Sequence, residues 1–208
     1  MKILILGSTG RAGQELVKQA LDKNFEVTAL TRDAAKLNID HERLTVVQGN
    51  VLDRELLMRI VEGKNAVLSA LGTGKSLKSG DLISNSVNLL VPAMNEKNVK
   101  RLIFLSAFGV GQTFEQASFI QKLAFRLFLK NIYADKSKGD ELIRNSNLDW
   151  TIVYPVLLTD KPLTGKYQVG EKLPMNGMPK ISRADVTDFM LRQLTDSTFV
   201  RKAPIIMS

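Results

Sequence analysis

Residues 3–21 read ILILGSTGRAGQELVKQAL, and the rest of the chain is best read outward from them. An apolar strand runs straight into Gly7, Gly10 and Gly13, spaced G-x-x-G-x-x-G, and a helix follows. The three glycines answer separable physical demands. One permits a tight turn, a second lets the backbone approach a pyrophosphate, and a third lets the helix pack on the strand. The helix N-terminus then offers free N–H groups and the positive end of its dipole to phosphates. Glycine spacing alone is a weak signal. The strand before it and the helix after it supply the context of a dinucleotide-phosphate turn, against the alternative of a turn with a purely structural purpose.

Beyond this turn the chain alternates short apolar runs with longer amphipathic segments. Residues 2–6, 25–31, 44–48, 65–71, 101–107 and 150–155 read as buried strands, and 11–23, 53–62, 80–98, 113–131 and 135–146 as helices. Continuous apolar strands separated by helices predict a doubly wound α/β fold around a parallel sheet. Right-handed crossovers place ligands at the carboxyl ends of such strands. After Pro155 the chain turns rich in Pro, Gly and Lys, with a short strand expected near 166–170 and a last helix at 182–194. Ser182 and Asp185 form a capping-box-like start for that helix. Residues 203–207 read as a final edge strand. No repeat or linker interrupts the chain, so 1–208 is expected to be one domain with a short C-terminal loop-helix appendage folded over the sheet.

The second strand ends in Thr31, Arg32 and Asp33. An acidic residue at this point binds the ribose 2′-hydroxyl in NAD-preferring sites. Here Arg32 offers a planar fork for a 2′-phosphate, which favours NADP(H) over NAD(H). The alternative is an exposed arginine at a helix start.

Composition narrows the class further. The chain has 208 residues, 44% hydrophobic and 24% charged, which suits a globular domain with a sizeable core. It has no cysteine and only one histidine, His41, so thiolate metal sites, disulfides and a Ser/His/Asp triad are not expected. No apolar run reaches the length of a membrane span, and the N-terminal run is too short for a secretory signal. A cytoplasmic location is the expectation. The net charge of +8 is scattered, so it reads first as solvated surface, next as attraction for a phosphate ligand, and third as nucleic-acid binding.

The turn GSTGRAG (7–13), the strand end TRD (31–33), GNVLD (49–53), SALG (69–72), LIFLSAFGVG (102–111) and DELIRNSNLDWTIVYP (140–155) occur in an order that resembles a known family. The family is that of the atypical short-chain dehydrogenase/reductases with an NAD(P)H-binding, Rossmann-like domain. It includes the biliverdin reductase B/flavin reductase type and the NmrA-like nicotinamide-sensing proteins. The resemblance covers almost the whole chain, including PLTGKY (162–167) and SRADVTDFM (182–190). It implies that Gly7, Thr9, Gly10, Arg11, Ala12 and Gly13 line the phosphate turn, and that Asn50 and Val51 sit beside the adenine. It also implies that Ala70, Leu71 and Gly72 border the ribose and nicotinamide, that Ser106 presents a hydroxyl at the fifth strand end, and that Pro155 and Val156 contact the nicotinamide. Aspartate is commoner at position 50 in the family, and arginine is usual where Tyr154 stands.

The same resemblance places Lys136 at the catalytic-lysine position, binding the nicotinamide ribose. It puts Ile132 where the family carries its proton-donating tyrosine. Tyr133 lies one residue off that register, and on a helix it can still lean toward Lys136, but from a different angle. Carbonyl reduction needs a proton delivered to an alkoxide, and losing a positioned acid forfeits about 10² to 10⁴ in rate. Hydride transfer to a delocalised acceptor needs chiefly positioning. The candidate catalytic residues are therefore Lys136, Tyr133 and Ser106. The leading expectation is an NADPH-dependent oxidoreductase acting on a flavin, quinone or similar planar acceptor, as a monomer or weak dimer without metal. The alternative is a non-catalytic NmrA-like NADP(H)-sensing regulator. Phe114, Phe119, Phe125 and Phe128 in the aromatic, basic segment 114–133 are expected to pack a helix on the sheet, and part of that segment to roof the acceptor.

Overall fold

A computed structural model of the protein describes residues 1–74, 80–118, 121–123, 125, 129–175 and 177–208. Six strands follow the expected runs: β1 (Lys2–Leu6), β2 (Glu26–Thr31), β3 (Leu44–Gln48), β4 (Ala66–Ser69), β5 (Arg101–Leu105) and β6 (Asp149–Pro155). Four short ones come after them: β7 (Leu157–Thr159), β8 (Gln168–Gly170), β9 (Lys180–Ser182) and β10 (Ile205–Met207). An 8-stranded sheet has the order β3-β2-β1-β4-β5-β6-β10-β8, while β7 and β9 pair by themselves. Every pair in the large sheet is parallel except β10 with β8. Ile3, Leu4, Ile5 and Leu6 are all 0% exposed, so successive side chains of β1 are covered on both faces of the sheet. That double cover is why these strands read as unbroken apolar runs rather than alternating ones.

The helices are α1 (Arg11–Asp22), α2 (Arg54–Val61), α3 (Leu82–Glu96), α4 (Lys130–Arg144) and α5 (Arg183–Arg192). They form two groups, α1 packed on α5 and α2, α3 and α4 packed in series. Leu16, Val17, Ala20 and Leu21 give α1 its apolar stripe at helical spacing. Asp53 caps α2 by accepting from Leu56 N at 3.0 Å, and Ser182 caps α5 by accepting from Asp185 N at 2.9 Å. The start of α3 is different. Its N-cap, Asp81, sits at φ 52° and makes no side-chain cap. Instead Asp135, on α4, accepts from Ile83 N at 3.0 Å and Ser84 N at 2.9 Å. Those are orphan donors that every helix start leaves behind.

Three expectations need correction. The segment assigned to one helix at 113–131 opens instead as a 3-10 turn at Gly111–Gln116, with helical residues at 121–123 and 125. Helix α4 starts at Lys130 rather than 135, because no Gly or Pro interrupts residues 130–135 and Asp135 is held inside by α3. Residues 205–207 are not an edge: β10 lies between β6 and β8, and β8 closes that side of the sheet. The Phe125 and Tyr133 rings lie 5.1 Å apart with their planes tilted by 45°, whereas Phe119 and Phe128 lie outside the described residues.

Candidate functional site

From β1 the chain proceeds to β2 and β3 on one side, and then places β4 on the other. The crevice of such a sheet opens where the order reverses, at the carboxyl ends of β1 and β4. The glycine turn occupies this point. Gly7 adopts φ +76°, and a Cβ there would lie 2.6 Å from the Ala70 carbonyl oxygen and 2.8 Å from Leu71 N. A Cβ on Gly13 would overlap the carbonyl oxygen of Gly7, so the third glycine sets how close α1 comes to β1. Gly10 has an ordinary φ of −71° as N-cap of α1, and its N–H donates to Gly7 O at 3.1 Å. Ser8 Oγ donates to Leu30 O at 2.9 Å and ties the turn to β2.

Thr9 and Ala12 are half-buried in this turn, while Arg11 is exposed and paired with Asp160 at 3.2 Å. No side chain caps α1 and its first turn carries no acidic residue. The first turn of α1 thus has no carboxylate of its own to compete with an anionic phosphate for the leading N–H groups.

At the end of β2, Asp33 is already engaged: its carboxylate accepts from Ala35 N at 3.2 Å and pairs with Lys36 at 3.4 Å. Arg32 is exposed and makes no ion pair among the described residues. Asn50 is exposed and turns its Oδ1 back to accept from Leu52 N at 3.0 Å, and Val51 beside it is buried. Leu71 is half-buried and Gly72 is exposed, with open space around its Cβ position. Val156, after β6, is buried, and the Pro155 carbonyl accepts from Phe108 N at 2.9 Å.

A second cluster stands at the ends of β5 and β6 against α4. Lys136 is 9% exposed, and its Nζ donates to Leu105 O at 3.1 Å. Burial lowers its pKa, opposed by the nearby Asp140 and Asp135. Lys136 is thus a buried lysine and not part of the solvated helix surface. Ser106 follows Leu105, is buried, and donates its hydroxyl proton to Asp140 Oδ2 at 2.8 Å. Tyr154 OH donates to the same oxygen at 2.7 Å, and Arg144 Nη2 donates to Tyr154 OH at 3.3 Å. Asp140 Oδ1 is buried without a hydrogen-bond partner among the described residues. Burial pushes the Asp140 carboxyl up to about 6, although Tyr154, Ser106, Lys136 and Arg144 all favour its ionised form.

Tyr133 turns the other way. Its hydroxyl donates to Phe108 O at 3.1 Å, its ring lies against Phe125 and Gly109, and burial pushes its pKa up to about 12. Ile132, in the family's tyrosine register, is half-buried. The residue that sequence reasoning missed is Asp140. Its signal was available, since it follows Lys136 at i+4 and so shares a helix face with it. Two open depressions of about 400 and 520 Å³ lie elsewhere, between α3 and α4 and at the amino ends of β1 and β2, away from these clusters. Among the described residues no group of His, Cys, Asp or Glu is placed to hold a metal, and no helix is long and apolar enough to cross a membrane.

A parallel sheet with its glycine turn at the switch point defines a dinucleotide-binding protein of the Rossmann-like class. The chain belongs to the NAD(P)H-binding family, whose model matches residues 7–197. It is thus a member of a nicotinamide-binding oxidoreductase family, as the motif order suggested. Among its relatives is the uncharacterized protein YwnB of Bacillus subtilis, 26% identical over 204 residues, covering 93% of this chain and 92% of that protein. The photosystem II assembly factor Ycf39 of Synechocystis is 26% identical over 227 residues, and the match spans 63% of its length. The oxidoreductase ylbE of Lactococcus lactis superposes with a TM-score of 0.84 at 26% identity, covering 100% of this chain and 91% of that one. ChuY of Escherichia coli, described as an anaerobilin reductase, shares the fold with a TM-score of 0.82 at 19% identity, covering 100% of this chain and 97% of that one.

Proposed function

We propose that this chain, as a single domain, is an NADPH-dependent oxidoreductase that reduces a flavin, quinone or similar planar acceptor. The observation that carries the reading is the pairing of a buried Lys136 with a tyrosine that is not free to act as an acid. Lys136 is well placed to bind a ribose hydroxyl, because Leu105 O accepts only one of its three N–H groups. Tyr133 spends its hydroxyl proton on Phe108 O, and Ile132 has none to give. A ketone would therefore find no tyrosine proton positioned for it on this helix.

In this reading the glycine turn holds the pyrophosphate, and Arg32 pairs with the 2′-phosphate, having no carboxylate of its own to satisfy. Asn50 and Val51 flank the adenine, while Ala70, Leu71, Gly72, Pro155 and Val156 border the nicotinamide with Ser106. When bound, the dinucleotide supplies a hydride, and the two-electron reduction of a conjugated acceptor takes its further proton from solvent. The protein's part is to align the two rings and keep water from between them.

The test is NADPH oxidation, followed at its own absorbance, with FMN, a naphthoquinone and a simple ketone as acceptors. Turnover with either of the first two and not the ketone supports the reading. Faster turnover of the ketone would overturn it. A second reading, an NmrA-like sensor that binds NADP(H) without turnover, is favoured by the same engaged Tyr133. It predicts tight NADPH binding with no oxidation by any acceptor.

A further inference from the structure

We propose that Asp140 fixes the hydrogen-bonding sense of Ser106, so that a molecule seated against Ser106 meets an acceptor and presents its own N–H or O–H there. The inference rests on the placement of Ser106 beside the nicotinamide and its acceptor. The argument from geometry is one of proton counting. An ionised carboxylate accepts and cannot donate. Both hydroxyls on Asp140 Oδ2, Ser106 at 2.8 Å and Tyr154 at 2.7 Å, must therefore point their protons at it. A serine hydroxyl has one proton, and it is now committed. The Ser106 backbone N–H is committed too, to Val153 O at 2.9 Å. Ser106 thus has two oxygen lone pairs to offer and no donor.

The neighbouring groups hold this direction. Arg144 can only donate, so Tyr154 accepts from it and passes its own proton on to Asp140. The groups facing Asp140 are Lys136 and Arg144 from α4, Tyr154 from β6 and the Ser106 hydroxyl just past β5. Lys136 makes no ion pair with Asp140 among the described residues and donates to Leu105 O instead, so it adds field without taking the Ser106 contact. A ketone or quinone oxygen facing Ser106 would leave two acceptors opposed. An imide, amide or pyrrole N–H would be matched.

Removing the carboxylate would release the serine proton. With no acceptor at that position the Ser106 hydroxyl is free to turn its proton toward a ligand carbonyl, and the preference for N–H-bearing rings is lost.

The experiment uses the full chain saturated with NADP⁺, so that no turnover is needed. Calorimetry measures the affinity of FMN, whose pyrimidine ring carries an N–H, and of 1,4-naphthoquinone, which has no N–H or O–H. At pH 8, Asp140→Leu is expected to tighten naphthoquinone binding about tenfold relative to FMN, because the Ser106 hydroxyl loses its acceptor and its proton is released toward the quinone oxygen. Adding Ser106→Ala to that variant should abolish the gain. Carboxyl ¹³C NMR provides an arm independent of any acceptor. Ser106→Ala removes a donor to the carboxylate and should raise the Asp140 titration midpoint, as should Tyr154→Phe. An affinity ratio unchanged by Asp140→Leu overturns the proposal. So does an Asp140 midpoint insensitive to Ser106→Ala, and this outcome stands even if the leucine variant fails to fold. Loss of NADPH oxidation with every acceptor would instead sink the oxidoreductase reading and leave the binding and NMR results to stand on their own.

Discussion

The carbonyl oxygen of Gly7 occupies the space that a Cβ on Gly13 would need. Helix α1 rests directly on the backbone of the turn that precedes it, and the obstruction is main chain rather than a side chain able to swing away. Gly13→Ala is accordingly expected to destabilise the protein by about 1–3 kcal/mol, as overpacking generally does, and to weaken NADPH binding by displacing the α1 N-terminus. Thermal unfolding and calorimetric titration check this. Gly72→Ala is the control for stability, since open space surrounds its Cβ position, and its melting temperature should match the wild type.

Asp135 and the start of α3 make a second such pair. Replacing Asp135 with alanine leaves the N–H groups of Ile83 and Ser84 buried without their acceptor. The expected cost is about 1–3 kcal/mol, typical of a buried donor left unsatisfied, measured by urea denaturation. An unchanged midpoint would show that another group caps α3.

Tyr133→Phe separates the acid role from a packing role. Losing the hydrogen bond to Phe108 O should cost about 0.5–1.5 kcal/mol of stability, while turnover with a flavin or quinone stays within a fewfold. Abolished turnover in a folded variant would make Tyr133 a relocated proton donor.

Arg32→Glu tests cofactor choice. A charge-assisted pair with a 2′-phosphate is worth about 1.5–3 kcal/mol, so NADPH affinity should fall at least about tenfold, with NADH affected far less. Equal losses for both dinucleotides would remove Arg32 from the account.

Asp140 gives the stability curve a distinctive slope. Its carboxyl is held near about 6 in the folded protein, chiefly by burial, against about 3.9 for an unfolded aspartate. Between those values the folded state binds the extra proton, so this group's contribution makes stability fall as pH rises from about 4 to 6. Above that range it costs on the order of 3 kcal/mol. The stability of Asp140→Asn relative to wild type should therefore rise from pH 4 to pH 7 in urea titrations. A flat or falling difference would contradict the buried, ionised carboxylate.

The sequence determined the elements that contiguous residues encode. Unbroken apolar runs specified strands covered on both faces, and three glycines at fixed spacing specified a turn, because each demand is met within a few residues of chain. Ser182 and Asp185 marked the start of α5 for the same reason. What only the tertiary structure decided involves partners distant in sequence and hidden from water. Asp135 caps a helix start 52 residues away, and Asp140 takes the proton of Ser106 across 34 residues. Residues 205–207 gained an inner place in the sheet because β8 returns to cover them. Lys136 was legible as a lysine on a helix, but its burial was not, since that depends on which strand ends α4 packs against. Polar side chains look alike on paper whether they face solvent or the low-dielectric interior, and it is burial that obliges each proton to find a particular acceptor.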